Sequence, residues 1–385
     1  MSDLIDSAAG LVAGSSLQTT RAKRDKVAAA TQGSYDAIFD PALPGVTLAE
    51  RLLVALDIAL LSGVKPVAAQ YRAELDKQTL TEAERSVLTG GPTVLPEEPR
   101  LRAILKFSRL LTLAPVEGDR EALLALPAAG LSTPAVITLG QLIAFVSYQV
   151  RLVAGLRALT ALGEPVPGEA GVPVEEGNFV HPATLPPPGE PLRINGYTSE
   201  TLGWSSWLDV LDVNTARPDQ LAVLDASHPK ARTSDYYLVL SHQPRILEQR
   251  AIVFNAIMYA PGGMSRAERE LASTVVSRVN GCVYCASVHA QRFEQLTRRN
   301  DVIAQVFTEP VGAGTNARER AIVDASIALT KAPGSFGANE LRALRAAGLS
   351  DLELLDMIHA VAIFAWANRL MLNLGEPVFP ERAAA

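Results

Sequence analysis

Two cysteines are the only thiols in the chain, and they stand three residues apart at Cys282 and Cys285. Twelve residues before the first is Glu270, and four after the second is His289, giving Glu-x11-Cys-x2-Cys-x3-His. In a helix running from Cys282, positions i, i+3 and i+7 share one face, so both sulfurs and the imidazole form a cluster. Cysteines at that spacing lie near the Cα separation a disulfide needs. A thiol of ordinary pKa reacts well near neutrality only if a cation, a base or a helix N-terminus favours its thiolate. All three aids are within reach here, which points to thiolate redox chemistry.

The elements that must position this cluster can be read from punctuation. Asn280-Gly281 ends one apolar-periodic run and opens another, which places Cys282 in the first turn of a new helix and Cys285 just past it. On that reading the helix dipole favours the Cys282 thiolate more. Ser265-x-x-Glu268 has the capping-box pattern for the preceding helix. Glu270 then lies early in that helix, and two antiparallel or crossed helices would bring it beside His289 as a supporting base.

The rest of the second half is helix-periodic over 234–241, 246–259, 265–279, 282–299, 316–330, 338–347 and 351–373. Breaks fall at Pro261-Gly262-Gly263, Pro310-Val311-Gly312 and Pro333-Gly334, and no alternating strand pattern is evident. The first half repeats the second at an offset of 218. Thr47-Leu-Ala-Glu50-Arg51 matches Ser265-Arg-Ala-Glu268-Arg269, Leu111-Thr-Leu-Ala-Pro115 matches Leu329-Thr-Lys-Ala-Pro333, and Ala128-Ala-Gly-Leu-Ser132 matches Ala346-Ala-Gly-Leu-Ser350. At the functional positions the match fails: Leu52, Val64, Val67 and Tyr71 stand where Glu270, Cys282, Cys285 and His289 stand in the second half. The expectation is an all-α chain of two tandem units, 1–165 without the thiol site and 197–385 with it, joined by a Pro/Gly-rich linker at 166–196. The first unit would serve as an intrachain pseudo-dimer partner, its old pocket filled by apolar core.

Composition agrees with two helical domains. Hydrophobic residues make up 48% and charged residues 20%, and a net charge of −6 disfavours nucleic acid or anionic membrane as partner. The apolar stretch 139–162 is interrupted by Gln141, Gln149, Arg151 and Arg157, so a buried helix is expected. Asp3 and Asp6 replace a basic leader, and a cytoplasmic location follows as the expectation.

The motif and the distal FAWANRLMLNLGEP resemble the AhpD-like alkylhydroperoxidases of the carboxymuconolactone decarboxylase superfamily, in its peroxidase-related branch. The resemblance implies an oligomerising helical fold that reduces organic hydroperoxides without metal, haem or flavin. It also implies roles: Cys285 attacks the peroxide, Cys282 resolves the sulfenate to a disulfide, and His289 and Glu270 relay protons. A dithiol reductant, lipoamide or a thioredoxin-like protein, would reopen the disulfide. Tyr284 departs from the pattern, since family members carry a histidine between the cysteines.

Other readings exist for these residues. The cysteine pair with His289 and Glu270 would also make a four-ligand zinc site. The dithiol would suit an oxidoreductase or redox sensor acting on a protein, and the superfamily name suggests a decarboxylase. His359 and Trp366 read as core residues, Glu268 as a helix cap, and Arg369, recurring as Arg151, as half of a structural ion pair. His181, His228 and His242 carry no assignment.

Overall fold

The computed structural model describes residues 3–165 and 184–381; the greater part of the expected linker, 166–183, and His181 with it, lies outside the described residues. The first half contains α1 (Leu4–Ala9), α2 (Ser16–Ala22), α3 (Asp25–Ile38), α4 (Leu48–Leu61), α5 (Lys65–Leu75), α6 (Glu82–Gly90), α7 (Pro99–Leu113), α8 (Arg120–Ala128) and α9 (Thr133–Leu162). Short strands β1 (Arg193–Ile194), β2 (Tyr197–Thr198) and β3 (Gly203–Ser206) follow. The second half contains α10 (Pro218–Ser227), α11 (Asp235–Leu240), α12 (Pro244–Met258), α13 (Arg266–Asn280), α14 (Val283–Thr297), α15 (Asp301–Thr308), α16 (Ala317–Lys331), α17 (Ala338–Ala346), α18 (Asp351–Asn373) and a last strand, β4 (Gly375–Val378). The fold is all-α.

The repeat is carried into three dimensions. Helices α4, α5, α7, α8 and α9 each begin 218 residues before α13, α14, α16, α17 and α18. The same caps start them: Thr47 with Glu50 and Ser265 with Glu268 both form full capping boxes. Glu50 also pairs with Arg100 at 3.1 Å, and Glu268 pairs with Arg318, the residue equivalent to Arg100. The capping assignment for Glu268 therefore accounts for its chemistry in both units.

Three features were not evident in the sequence. Residues 193–198 and 203–206/375–378 form two tiny antiparallel sheets, β1–β2 and β3–β4. Strands of two to four residues are too short to show an alternating pattern. From Thr184 onward the segment read as linker lies against the second unit: Pro186 O accepts from Gln295, Gly189 N donates to Glu294, and Asn195 Nδ2 donates to Thr308 O. Helix α15 fell between the periodic runs because eight residues give barely two turns of pattern.

The longest helices of the two units, α9 and α18, pack on each other in the centre. Both are long and apolar enough to cross a membrane by length and composition, but their apolar windows are buried within the fold. A helix buried on all sides is hydrophobic all round. Trp366 packs against Phe145 and Tyr148 with ring centroids 5.3 and 5.7 Å away, and its Nε1 donates to Gln141 Oε1 at 2.8 Å. Trp366 is thus core.

Arg151 and Arg369 do not form the expected ion pairs. Arg369 donates to Leu111 O and Thr112 O at the C-terminus of α7, and Arg151 donates to Thr330 O at the C-terminus of α16. Thr112 and Thr330 are themselves equivalent, so the contact is reciprocal between the units. The last carbonyls of a helix lack intrahelical partners and carry partial negative charge, which suits a buried cation. No carboxylate neutralises either arginine among the described residues. Burial lowers Arg151 to about 10, and burial with the nearby Arg151 charge lowers Arg369 well below its usual value.

His359 is buried as expected, but its Nδ1 has no partner among the described residues. Burial lowers its pKa from 6.5 to about 3, with Arg21, Arg24 and Arg269 acting in the same direction and Asp356 against it. It is neutral at physiological pH.

Two tests follow from this packing. Arg369→Met leaves two carbonyls of the opposite unit uncapped where Arg151→Met leaves one, so in urea titrations Arg369→Met costs about 2 kcal/mol and Arg151→Met less. His359 binds its proton more readily unfolded than folded. Its contribution to stability is therefore complete above pH 6.5 and is lost as pH falls from there toward 3, by roughly 1 kcal/mol per pH unit. His359→Gln, which installs the residue found at the equivalent Gln141, flattens that acid limb in urea midpoints measured from pH 7 to pH 4.

Candidate active site

The turn that carries the thiols is made by Gly281. It closes α13 in the left-handed region at φ +81°, and a Cβ there would come within 2.6 Å of Val116 from the first unit. Glycine is the residue that meets both demands. Cys282 follows as the N-cap of α14, with its backbone N–H bonded to Ser277 O at 2.8 Å. The helix proper begins at Val283, so Cys285 occupies the first turn and Cys282 precedes it, one step later than the spacing suggested.

At Cys282 burial, and not the helix dipole, governs the thiol. Burial pushes the Cys282 thiol well above its ordinary value, a contact with Cys285 adds to this, and the Cys285 amide and Asn368 only partly oppose it. Desolvation outweighs the helix terminus. Asn368 is held in place on the Cys282 side by Asn280 Nδ2, which donates to its Oδ1 at 2.9 Å, and by its own Nδ2 donating to Ser277 Oγ at 3.0 Å. Both cysteines are reduced; Cys282 is 1% exposed and Cys285 4%.

Glu270 and His289 meet where α13 crosses α14. His289 Nδ1 lies 2.5 Å from Glu270 Oε2, and Arg266 Nε approaches Glu270 Oε1 at 3.5 Å. An ionised Glu270 holds the imidazole proton on Nδ1 and leaves Nε2 as the basic nitrogen. The ring of Phe364 packs edge-on against His289 at 4.4 Å and fixes its plane from the other side.

Cys285, His289 and Glu270 all line one cavity of about 780 Å³. Cys282 does not; it lies behind Cys285 in the core. The remaining wall is largely aromatic, with Tyr236, Phe254, Tyr259 and Tyr284 prominent. Tyr284 thus faces the cavity although it falls off the helical face shared by the thiols. Burial, with Cys285 beside it, pushes its phenol up to about 12.

Several of these wall residues carry no motif. Tyr236 comes from α11, Arg250 and Phe254 from α12, Phe364 and Met371 from α18, and His228, unassigned from sequence, joins them. The available signal was departure within the repeat: Gln32 and Asp36 stand in α3 where Arg250 and Phe254 stand in α12. In the first unit the positions equivalent to the site are packed shut. Leu52, Val64, Val67 and Tyr71 are all buried, Tyr71 donates to Gln149, and its ring meets Phe39 at 5.3 Å.

Comparison with known proteins bears on the same segment. Residues 244–328 match the carboxymuconolactone decarboxylase family. The matched segment lies within the second unit. The match runs from the first residue of α12 into α16 and includes Glu270, Cys282, Cys285 and His289. Among solved structures, similarity is found to an alkylhydroperoxidase AhpD core, an uncharacterized peroxidase-related protein from Ralstonia eutropha JMP134. It shares 25% identity, covers 43% of this chain and 87% of its own, and superposes with a TM-score of 0.38. A search of curated proteins returns no match. The family assignment agrees with the superfamily resemblance carried by the motif.

Only Cys285 of the two thiols opens on the cavity, and this sets an order of reaction. With the reduced protein at pH 8, limiting methyl methanethiosulfonate modifies Cys285 before Cys282, which lies in the core and whose thiol burial keeps protonated. Peptide mass mapping over time reads the order directly.

Proposed function

We propose that the protein is a thiol-dependent peroxidase that reduces organic hydroperoxides. The observation that carries this reading is the placement of Cys285 on the wall of an aromatic cavity, beside a His289–Glu270 pair, with Cys282 buried behind it in contact.

In the proposed cycle His289 Nε2 takes the proton of Cys285, and Glu270 stabilises the imidazolium that results. The Cys285 thiolate attacks the outer oxygen of the hydroperoxide. The O–O bond breaks, that oxygen stays on sulfur as a sulfenic acid, and the alkoxide takes the proton back from His289 to leave as an alcohol. The Cys282 thiol then condenses with the sulfenic acid, forming the Cys282–Cys285 disulfide and releasing water. Two electrons have passed from the dithiol to the peroxide. A dithiol donor, lipoamide or a thioredoxin-like protein, returns them by thiolate exchange. The high pKa of Cys282 suits it to wait as a neutral thiol while Cys285 reacts.

A cytoplasmic setting, where such reductants keep thiols reduced, fits this cycle. We further read the two units as an internal dimer, on the reciprocal contacts of Arg151 and Arg369, and expect whole chains to associate further. The opening of Cys285 onto a cavity with room for a small organic molecule favours a peroxidase over an oxidoreductase or sensor acting on a protein partner. Decarboxylation, the chemistry in the family name, leaves the paired thiols without a use.

The reading is tested by stopped-flow mixing of the reduced protein with cumene hydroperoxide while free thiols are counted. Wild type loses two thiols per peroxide consumed. Cys282→Ser consumes a single equivalent and stops, Cys285→Ser consumes none, and Glu270→Gln slows the first step by about a hundredfold. Full activity in Cys285→Ser sinks the role assignment, and thiols inert to peroxide yet reactive toward a protein disulfide favour the oxidoreductase.

A further inference from the structure

Arg250 lines the cavity, and the proposed chemistry does not use it. It projects from α12, is 5% exposed, and lines the same wall space as Cys285 and His289. Its guanidinium carbon sits 5.1 Å from the Phe254 ring centroid and 5.6 Å from that of Tyr236. No carboxylate pairs with it among the described residues, and its Nε is buried without any hydrogen-bond partner. The hydroxyl of Tyr236, on the same wall, is likewise buried and unpartnered.

Arg250 Nε and the Tyr236 hydroxyl are two buried donors with no partner among the described residues, and leaving such hydrogen bonds unmade is costly. Flanking aromatic faces offset part of the cost but accept none of the hydrogen bonds. Among the described residues the cavity wall carries one carboxylate, Glu270, which Arg266 and His289 engage, so none is left for Arg250.

We infer that the cavity binds an organic hydroperoxide that carries a carboxylate on a flat or branched apolar body, with the carboxylate held by Arg250 and the Tyr236 hydroxyl. The planar fork of arginine matches a carboxylate in two-point contact. The aromatic wall accepts the apolar body, and a volume of about 780 Å³ is ample for both ends of such a molecule. Arg250 is then a specificity-determining residue, and binding energy gained at the carboxylate positions the hydroperoxide over Cys285. The inference rests on the peroxidase reading for the reacting group, but not for the anion.

Two experiments separate these parts. In the first, kcat/KM is measured for cumene hydroperoxide and for its para-carboxyl derivative. Wild type favours the carboxylated substrate by about tenfold or more, mainly through KM, and Arg250→Gln collapses that ratio toward one, as expected for loss of a charge-assisted contact. Tyr236→Phe reduces it by a smaller factor. In the second, which needs no turnover, 4-isopropylbenzoate slows modification of Cys285 by methyl methanethiosulfonate in the wild-type protein, and the neutral 4-isopropylbenzamide does not. Equal protection by acid and amide overturns the inference even if Arg250→Gln does not fold. A wild-type enzyme that turns over both hydroperoxides with equal kcat/KM also overturns it while leaving the peroxidase reading intact. Protection by the acid alone, with neither hydroperoxide consumed, sustains the anion site and overturns the peroxidase reading instead.

Discussion

Everything in this molecule depends on burying α9 and α18 against each other. Two helices that are apolar on every side have no stable exposed state, and each supplies the other with the surface it requires. That packing traps Arg151 and Arg369 away from water with no carboxylate among the described residues to neutralise them. The cost is met by the C-terminal carbonyls of α7 and α16, each helix capped by an arginine from the opposite half of the chain.

The first unit, although it has no thiols, thereby helps to shape the thiol site. Gly281 packs on Val116, Asn373 donates to Pro115 O and Gly118 O, and Arg24 reaches across to Asp356 at 2.7 Å. The turn that places Cys282 at an N-cap and Cys285 in the first turn of α14 is thus braced from outside its own unit. Its equivalent, Gly63, leads only to Val64 and Val67 in a filled core. One unit carries the thiols and the other braces the turn that holds them.

Within the site, burial decides what the motif leaves open. A helix N-terminus offers at most a modest bias to a nearby thiolate, whereas removing sulfur from water shifts its pKa by more. Cys282, behind the cavity wall, is governed by desolvation, while Cys285 meets the space where a substrate would lie. Arg250 shows the converse: its buried Nε has no partner among the described residues, and an incoming anion would supply one.

Much of this was legible in the chain. The 218-residue offset disclosed two units, the capping pairs Thr47–Glu50 and Ser265–Glu268 marked matching helix starts, and Asn280-Gly281 marked the break before the thiols, because these signals are local and each acts within one turn of helix. Periodicity placed Cys285 and His289 on one face of a helix, and both line one cavity, while Cys282 precedes that helix and lies in the core. Other features were not legible, since they depend on residues distant in sequence. Arg369 meets α7 rather than a carboxylate, the Cys282 thiol is raised by what surrounds it, and Tyr236, Arg250, Phe254 and Phe364 become one wall only when α11, α12 and α18 converge. Sequence determined which residues could react and which helices would carry them. Tertiary structure decided which thiol meets the cavity and which charges lie buried beside it, because desolvation is a property of the assembled surroundings and not of any single segment.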